Sequence, residues 1–344
     1  MKLYTAITTI QPPTECMHSL AKNLAKCGGH LVVTGDKKGP QAYDLPNTSF
    51  FSLEDQNSLN FKIETKLPTG HYARKNLSYL FAISQGAECI YETDDDNMPN
   101  EHWKVRTDEI KSPLVIPEAD QWVNIYKYFS DAKIWPRGLP LNQICTTHPE
   151  AIQSTDTLIS PIQQGLVNNA PDVDAIWRLV FDSEFNYSAS SDGKSVYLKP
   201  GNWCPFNTQS TWWWPLAYPL LYIPSYCSFR MCDIWKSFIA QRCLWALGYG
   251  VTFHSPEAIQ VRNEHNIMKD FTDEIPGYLE NEKIKTILNL SDLKPGTENV
   301  GTNLRTCYSD LIAEGILLEK EMDLVELWLK DLTKITYAET SKKR

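Results

Sequence analysis

The sequence predicts an α/β protein built on a largely parallel sheet, and three observations carry that expectation. The first hundred residues alternate short β-rich runs with stretches patterned as helices. Proline or glycine pairs punctuate the units, at Pro12-Pro13 and Gly28-Gly29, and Gly86 closes another. The composition, 42% apolar, 11% aromatic and 22% charged over 344 residues, is that of a globular chain long enough for one large domain or two fused ones.

Leu3 to Ile10 reads as the first strand. Beyond the proline pair, Thr14 is placed to cap a helix through Lys26, because Met17, Leu20, Ala21 and Leu24 recur at three- and four-residue steps. His30 to Thr34 is a second buried strand. Gly35-Asp36 follows at its carboxyl end, where open α/β sheets receive ligands, so Asp36 is placed for a ribose or a base. Tyr72 to Gln85 is patterned as a helix, and Cys89-Ile90-Tyr91 as the next strand. From Asn124 to Asn142 the chain reads as strand and loop, and from Thr146 to Gln164 as a surface excursion. Asp233 to Leu247 is a helix stopped by Gly248-Tyr249-Gly250, and Val251 to His254 a final strand. From Thr272 onward the pattern is helical, and Leu311 to Leu332 presents one apolar face.

Charge and composition exclude several classes. With 33 Lys+Arg against 42 Asp+Glu, the net charge of −9 argues against a nucleic-acid binder, which needs a basic surface. The most apolar stretch, Trp212 to Pro224, is interrupted by prolines and falls short of the roughly 20 residues a membrane span needs. Met1 to Ile10 lacks the order of a signal peptide, which gives a cytoplasmic expectation. Nine scattered cysteines without a C-x-x-C pair read as free thiols in a reducing compartment.

Asp94-Asp95-Asp96, directly after a strand, is the most informative motif. Three adjacent carboxylates repel one another unless a cation or polar partner compensates them. On extended backbone Asp94 and Asp96 point the same way, so both reach one hard divalent ion, Mn²⁺ or Mg²⁺, that would bridge a diphosphate.

Four ordered stretches then resemble a known family. Thr8-Thr9-Ile10-Gln11-Pro12-Pro13, Val33-Thr34-Gly35-Asp36-Lys37, Tyr72-Ala73-Arg74-Lys75-Asn76 and Tyr91-Glu92-Thr93-Asp94-Asp95-Asp96-Asn97 follow the pattern of the STELLO-type glycosyltransferase-like family. The likeness continues through Ile134-Trp135-Pro136-Arg137-Gly138, Gln164-Gly165-Leu166-Val167-Asn168, Pro171-Asp172-Val173-Asp174-Ala175, Pro205-Phe206-Asn207-Thr208-Gln209, Ser228-Phe229-Arg230 and Asp233-Ile234-Trp235, covering residues 3 to about 270. More distantly, the triplet, the Asp172/Asp174 pair and Asp233-Ile234-Trp235 resemble motifs of the reversibly glycosylated polypeptides, the plant UDP-arabinopyranose mutases.

Both resemblances imply a GT-A fold, the Rossmann-like nucleotide-sugar-binding architecture, here with a helical C-terminal extension. The GT-A domain would span 1–270, with a donor half over about 1–145 and an acceptor half over about 146–270, and 271–344 would pack on it. The implied activity is metal-dependent, inverting transfer of a sugar from a UDP donor to a glycan or lipid-linked glycan, by a cytoplasmic protein acting at the inner membrane face. The resemblance makes Asp94, Asp96 and His265 metal ligands, with His254 as the alternative histidine. It makes Thr8, Gln11 and Asp36 nucleoside contacts and Asp95 a sugar or ribose contact. Arg74 would neutralise the diphosphate or the triplet, with its neighbour Lys75 the weaker candidate for that role, since a Lys next to an Arg on a helix is more often a surface charge. Asp172 and Asp174 become donor-sugar or acceptor contacts. Asp233, at a helix start, is either the base that takes the acceptor's proton, an N-cap, or both. Trp203 and Trp213, among neighbouring aromatics, are candidates for an acceptor-stacking platform or for core. Two other readings stay open, a nucleotide-sugar mutase and a non-catalytic GT-A scaffold, as does a homo-oligomer. Against the mutase, the arginine those enzymes glycosylate aligns near Ile144 and not with Arg137.

Overall fold

The computed structural model describes residues 1–146, 148–181, 183–261 and 266–342. One eleven-stranded sheet forms its frame. In chain order the strands are β1 (Leu3–Thr9), β2 (His30–Gly35), β3 (Thr48–Phe51), β4 (Cys89–Thr93), β5 (Asn97–Pro99), β6 (Leu114–Ile116), β7 (Ile152–Gln153), β8 (Ile162–Asn168), β9 (Ser195–Leu198), β10 (Ser210–Trp213) and β11 (Val251–Gln260). Their order across the sheet is β3-β2-β1-β4-β10-β8-β11-β9-β6-β7, with β5 paired to β11.

The first four strands are parallel, as expected for strands joined by crossovers, and the register sets Thr8 beside Thr34 and Thr9 beside Gly35. Beyond β4 the sheet is mixed, because β10 returns from a long irregular segment instead of a crossover helix and pairs antiparallel with both β4 and β8. The first crossover, α1 (Glu15–Cys27), starts where Thr14 accepts the Met17 N–H at 3.2 Å and ends at Gly28, whose φ of 71° closes the left-handed cap. The second begins as a 3₁₀ turn over Tyr72–Arg74 and continues as α2 (Lys75–Ser84).

Three expectations need correction. The span from Asn124 to Asn142 holds short 3₁₀ turns, over Ile125–Tyr128 and Leu141–Gln143, and no strand. The supposed excursion from Thr146 to Gln164 runs into the start of β8, a central strand hidden in the sequence by its glutamines: buried Gln163 donates to the Thr107 and Ser160 carbonyls, at 2.8 and 3.1 Å. The final strand runs to Gln260 and not to His254.

Downstream lie α3 (Ala175–Phe181), α4 (Cys232–Trp245), α5 (Ile267–Leu290), α6 (Val300–Ala313) and α7 (Lys320–Lys342). The apolar face from Leu311 to Leu332 is shared between α6 and α7, with a break between them. Two of these helices reach the rest of the chain through buried acids. Glu274 of α5 accepts from the Ala175 N–H at 2.7 Å and from Arg230, while Glu321 of α7 accepts from the Ser225 and Tyr226 N–H groups at 3.0 and 2.7 Å. Among the described residues no helix is long and apolar enough to cross a membrane. All nine cysteines are free.

Candidate active site

Strands β1, β2 and β4 end at one edge of the sheet, and the turn after β4 carries the acidic triplet there. Asp94 meets Lys75, which projects from the first turn of α2: its Nζ lies 2.5 Å from Asp94 Oδ1 and 2.8 Å from the Thr93 carbonyl. Asp95 accepts from the Thr9 hydroxyl, and its carbonyl accepts from Thr14 Oγ1 at 2.6 Å. Asp96 Oδ2 accepts from Gln260 Nε2 at 2.9 Å, while its buried Oδ1 has no partner among the described residues. Burial raises the pKa of all three. Asp96 is pushed up to about 7, by burial first and then by the charges of Asp94 and Asp95.

The triplet forms one side of a cavity of about 270 Å³. The far side is a clamp. Arg137 Nε and Nη2 donate to the two oxygens of Asp172 at 2.7 and 2.9 Å, and Nη1 and Nη2 donate to those of Asp233 at 3.0 and 2.7 Å. The Arg230 carbonyl also accepts from Nη1. All three charged side chains are buried. Burial alone would raise the Asp233 pKa, but the Arg137 guanidinium outweighs it and holds the carboxyl below its ordinary value. Asp233 lies in the first turn of α4, and its own N–H donates to the Tyr72 hydroxyl at 2.9 Å.

A second cavity, of about 380 Å³, adjoins the first along Thr8, Tyr72, Asp95 and Phe229. Its aromatic wall is a cluster in which His71 stacks on Tyr72, with centroids 5.5 Å apart, and Phe229 meets both edge-on. Asp36, Lys37 and Lys38 complete the lining with Thr9, Ile10, Gly70. Asp36 Oδ2 accepts the Gly70 and His71 N–H groups at 2.7 and 3.0 Å, which fixes the loop carrying that wall.

The structure thus brings together Thr8, Asp36, Asp94, Asp95, Asp96, Asp172 and Asp233. Other expected site residues lie elsewhere. Arg74 does not reach the triplet: it is buried and donates to Gln56 Oε1 at 2.6 Å, to the Leu67 carbonyl and to Glu64. The cation at the triplet is Lys75 instead. Asp174 is fully buried behind the clamp, capping α3 through the Trp177 N–H at 2.7 Å and accepting from Trp135 Nε1 at 2.7 Å. Trp203 and Trp213 are fully buried core side chains and offer no surface to an acceptor. Gln11 is exposed and lines neither cavity. His254 is committed to Ser195 Oγ at 2.8 Å and Gln163 Oε1 at 2.9 Å, and lines neither cavity. His265 lies outside the described residues. Among those described, no three or more His, Cys, Asp or Glu side chains converge as a ready-made metal cage.

Sequence reasoning gave no role to Tyr72, Arg137, Phe229, Arg230 or Gln260, and ranked Lys75 behind Arg74 as the cation near the triplet. All of these but Gln260 fall within the matched motifs, a signal that was there to be used.

One family match and two curated relatives show what the chain is similar to. Residues 230–341 match the family described as STELLO glycosyltransferases. The chain is 27% identical to the Arabidopsis thaliana protein named probable glycosyltransferase STELLO1, over 97% of its own length and 44% of that protein's. It is 29% identical to the one named probable glycosyltransferase STELLO2 from the same plant, over 74% of its own length and 35% of that protein's. The chain therefore spans less than half the length of the curated relatives it matches.

Proposed function

We propose, from its resemblance to the STELLO glycosyltransferases and its GT-A-like fold, that the chain is a metal-dependent, inverting glycosyltransferase. Its donor would be a sugar on a nucleoside diphosphate, with uridine the base its resemblance favours, and its acceptor a glycan hydroxyl. The observation that carries this reading is the acidic turn at the carboxyl edge of parallel strands, with a buried Asp96 oxygen on the cleft that has no partner among the described residues.

The donor set suits a hard ion. Asp94 and Asp96 supply carboxylate oxygens, and Mg²⁺-like ions are commonly held by one or two carboxylates with substrate phosphates completing the shell. An ion held there supplies Lewis-acid neutralisation of the departing diphosphate. The rest falls to the protein. The aromatic-walled cavity accommodates the nucleoside against Thr8, Tyr72 and Phe229. Asp95, on both cavities, faces the ribose or the sugar. Asp233 is kept ionised and fixed by Arg137, and it accepts the acceptor hydroxyl's proton as that oxygen attacks the anomeric carbon.

Calorimetric titration of UDP and other nucleoside diphosphates, with and without Mn²⁺, tests the reading. Expected is Mn²⁺-dependent binding that disappears in the Asp94→Ala, Asp96→Ala double variant, with sugar transfer or donor hydrolysis lost alongside. Folded wild-type protein that binds no nucleotide sinks it.

A further inference from the structure

The cleft is richer in acid than in base, and its cations are already engaged. Five carboxylates line the first cavity, from Asp94, Asp95, Asp96, Asp172 and Asp233. Of the two arginines on it, Arg137 is bracketed by Asp172 and Asp233, and Arg230 donates through Nε and Nη2 to buried Glu274 at 3.0 and 2.8 Å. Lys75, behind the triplet, is spent on Asp94. Among the described residues, both cations lining this cavity are already paired with carboxylates. Lys37 and Lys38 belong to the adjoining cavity.

Taken with the proposed glycosyltransferase reading, on which this rests, the geometry points to a donor whose sugar is neutral, its hydroxyls donating to Asp172 beside the base Asp233. A sugar acid such as a uronate is rejected. A carboxylate oxygen holding one arginine N–H retains acceptor capacity, and sugar hydroxyls are donors that fit it. A uronate in the same place sets a third carboxylate against two that share a single guanidinium. Arg137 is therefore the positioning residue of the sugar site. Its planar fork aims both acids, and the same fork is what a sugar carboxylate would need.

That last point makes the inference sharp. Removing the Asp172 side chain frees the Nε/Nη2 edge of Arg137, which turns a rejecting wall into a carboxylate receptor. The Asp172 carbonyl contacts, with the Arg137 N–H at 3.0 Å and the Tyr126 hydroxyl at 3.0 Å, are main-chain and survive the change.

The experiment is calorimetric titration, with Mn²⁺, of UDP, UDP-glucose, UDP-galactose, UDP-glucuronate and UDP-galacturonate into wild type, Asp172→Ala and Asp172→Asn. Wild type is expected to bind each neutral sugar nucleotide about 100-fold more tightly than the matching uronate, since opposed like charges cost several kcal/mol. In Asp172→Ala the ratio should fall at least about tenfold as the arginine fork opens. Asp172→Asn, which keeps the side-chain volume and an acceptor for Arg137, should give a smaller fall. Uronates bound as tightly as neutral sugars by wild type overturn the inference, as does a ratio unchanged in both variants. UDP alone is the reference in every protein: if wild type does not bind it, the glycosyltransferase reading fails too, and that arm alone reports the difference.

Discussion

The two sides of the cleft hold carboxylates in opposite ways. At the end of β4, three aspartates share one ammonium, Lys75, and are otherwise steadied by the neutral donors Thr9 and Gln260. Across the cavity, two aspartates share one guanidinium through four N–H···O contacts. The consequences diverge: Asp96 is pushed up to about 7, whereas Asp233 is pulled below its ordinary value. Burial acts on both, so it is the partner that decides the sign. The acidic turn sets three carboxylates against one ammonium and is under-compensated, while the clamp sets two against one guanidinium that holds them through four hydrogen bonds.

Breaking the clamp should have the largest effect on stability. Arg137→Met leaves Asp172 and Asp233 buried without compensation, and losing one partner of a buried ion pair costs about 3–5 kcal/mol. Lys75→Met removes an equally buried cation, but the side chain of Asp94 remains 34% exposed and water can take over, so a smaller loss of about 1–3 kcal/mol is expected. Urea unfolding of both variants at pH 7 measures the difference. Equal losses would mean that the two sides are not held differently after all.

How much of this was legible depended on sequence separation. The parallel units at the N-terminus were readable because their signals are local: Thr14 caps, Gly28 stops, and the intervening apolar residues repeat at helical spacing. The acidic triplet was readable for the same reason. The clamp was not, since Arg137 meets partners 35 and 96 residues away and no local pattern announces that meeting. Arg74 and Lys75 show a finer limit. Charge and shape favoured the arginine, but one residue of phase along a 3₁₀-to-α junction aims the lysine at the triplet and the arginine at Glu64 and Gln56. The tryptophans failed differently, because composition does not say which aromatic rings a sheet will cover.

Behind the clamp, Asp174 sharpens the contrast with Asp233. It is as deeply buried, but its donors among the described residues are neutral, Trp135 Nε1 and the Trp177 N–H, and burial pushes its pKa up to about 6, with Glu274 and Asp172 adding to the rise. The folded protein therefore holds this proton more tightly than the unfolded chain. Its contribution is fully present below the unfolded value near 3.8 and is lost as pH rises through about 6. At 1.36 kcal/mol per unit the loss is about 3 kcal/mol. Urea midpoints at pH 4.5 and 7 should show wild type losing stability across that window relative to Asp174→Asn, whose side chain does not titrate. A parallel pH dependence in the two proteins would contradict the assignment.

The smallest effect tests whether neutral hydroxyls hold the acidic turn. Thr14 works in two directions: its Oγ1 accepts the Met17 N–H to cap α1 and donates to the Asp95 carbonyl at 2.6 Å. Thr14→Ala should cost about 1 kcal/mol, the usual worth of such a cap. Thr14→Ser keeps both hydrogen bonds and should restore most of that loss. Because the same oxygen steadies the turn, Thr14→Ala should also weaken Mn²⁺-dependent UDP binding several-fold, while leaving the Arg137 clamp, on the other side of the cavity, unchanged. If stability falls and is rescued by serine but UDP affinity does not move, the hydroxyl serves the helix alone. The acidic turn must then be held by Lys75 and Thr9, and the contrast between its neutral supports and the charged clamp narrows.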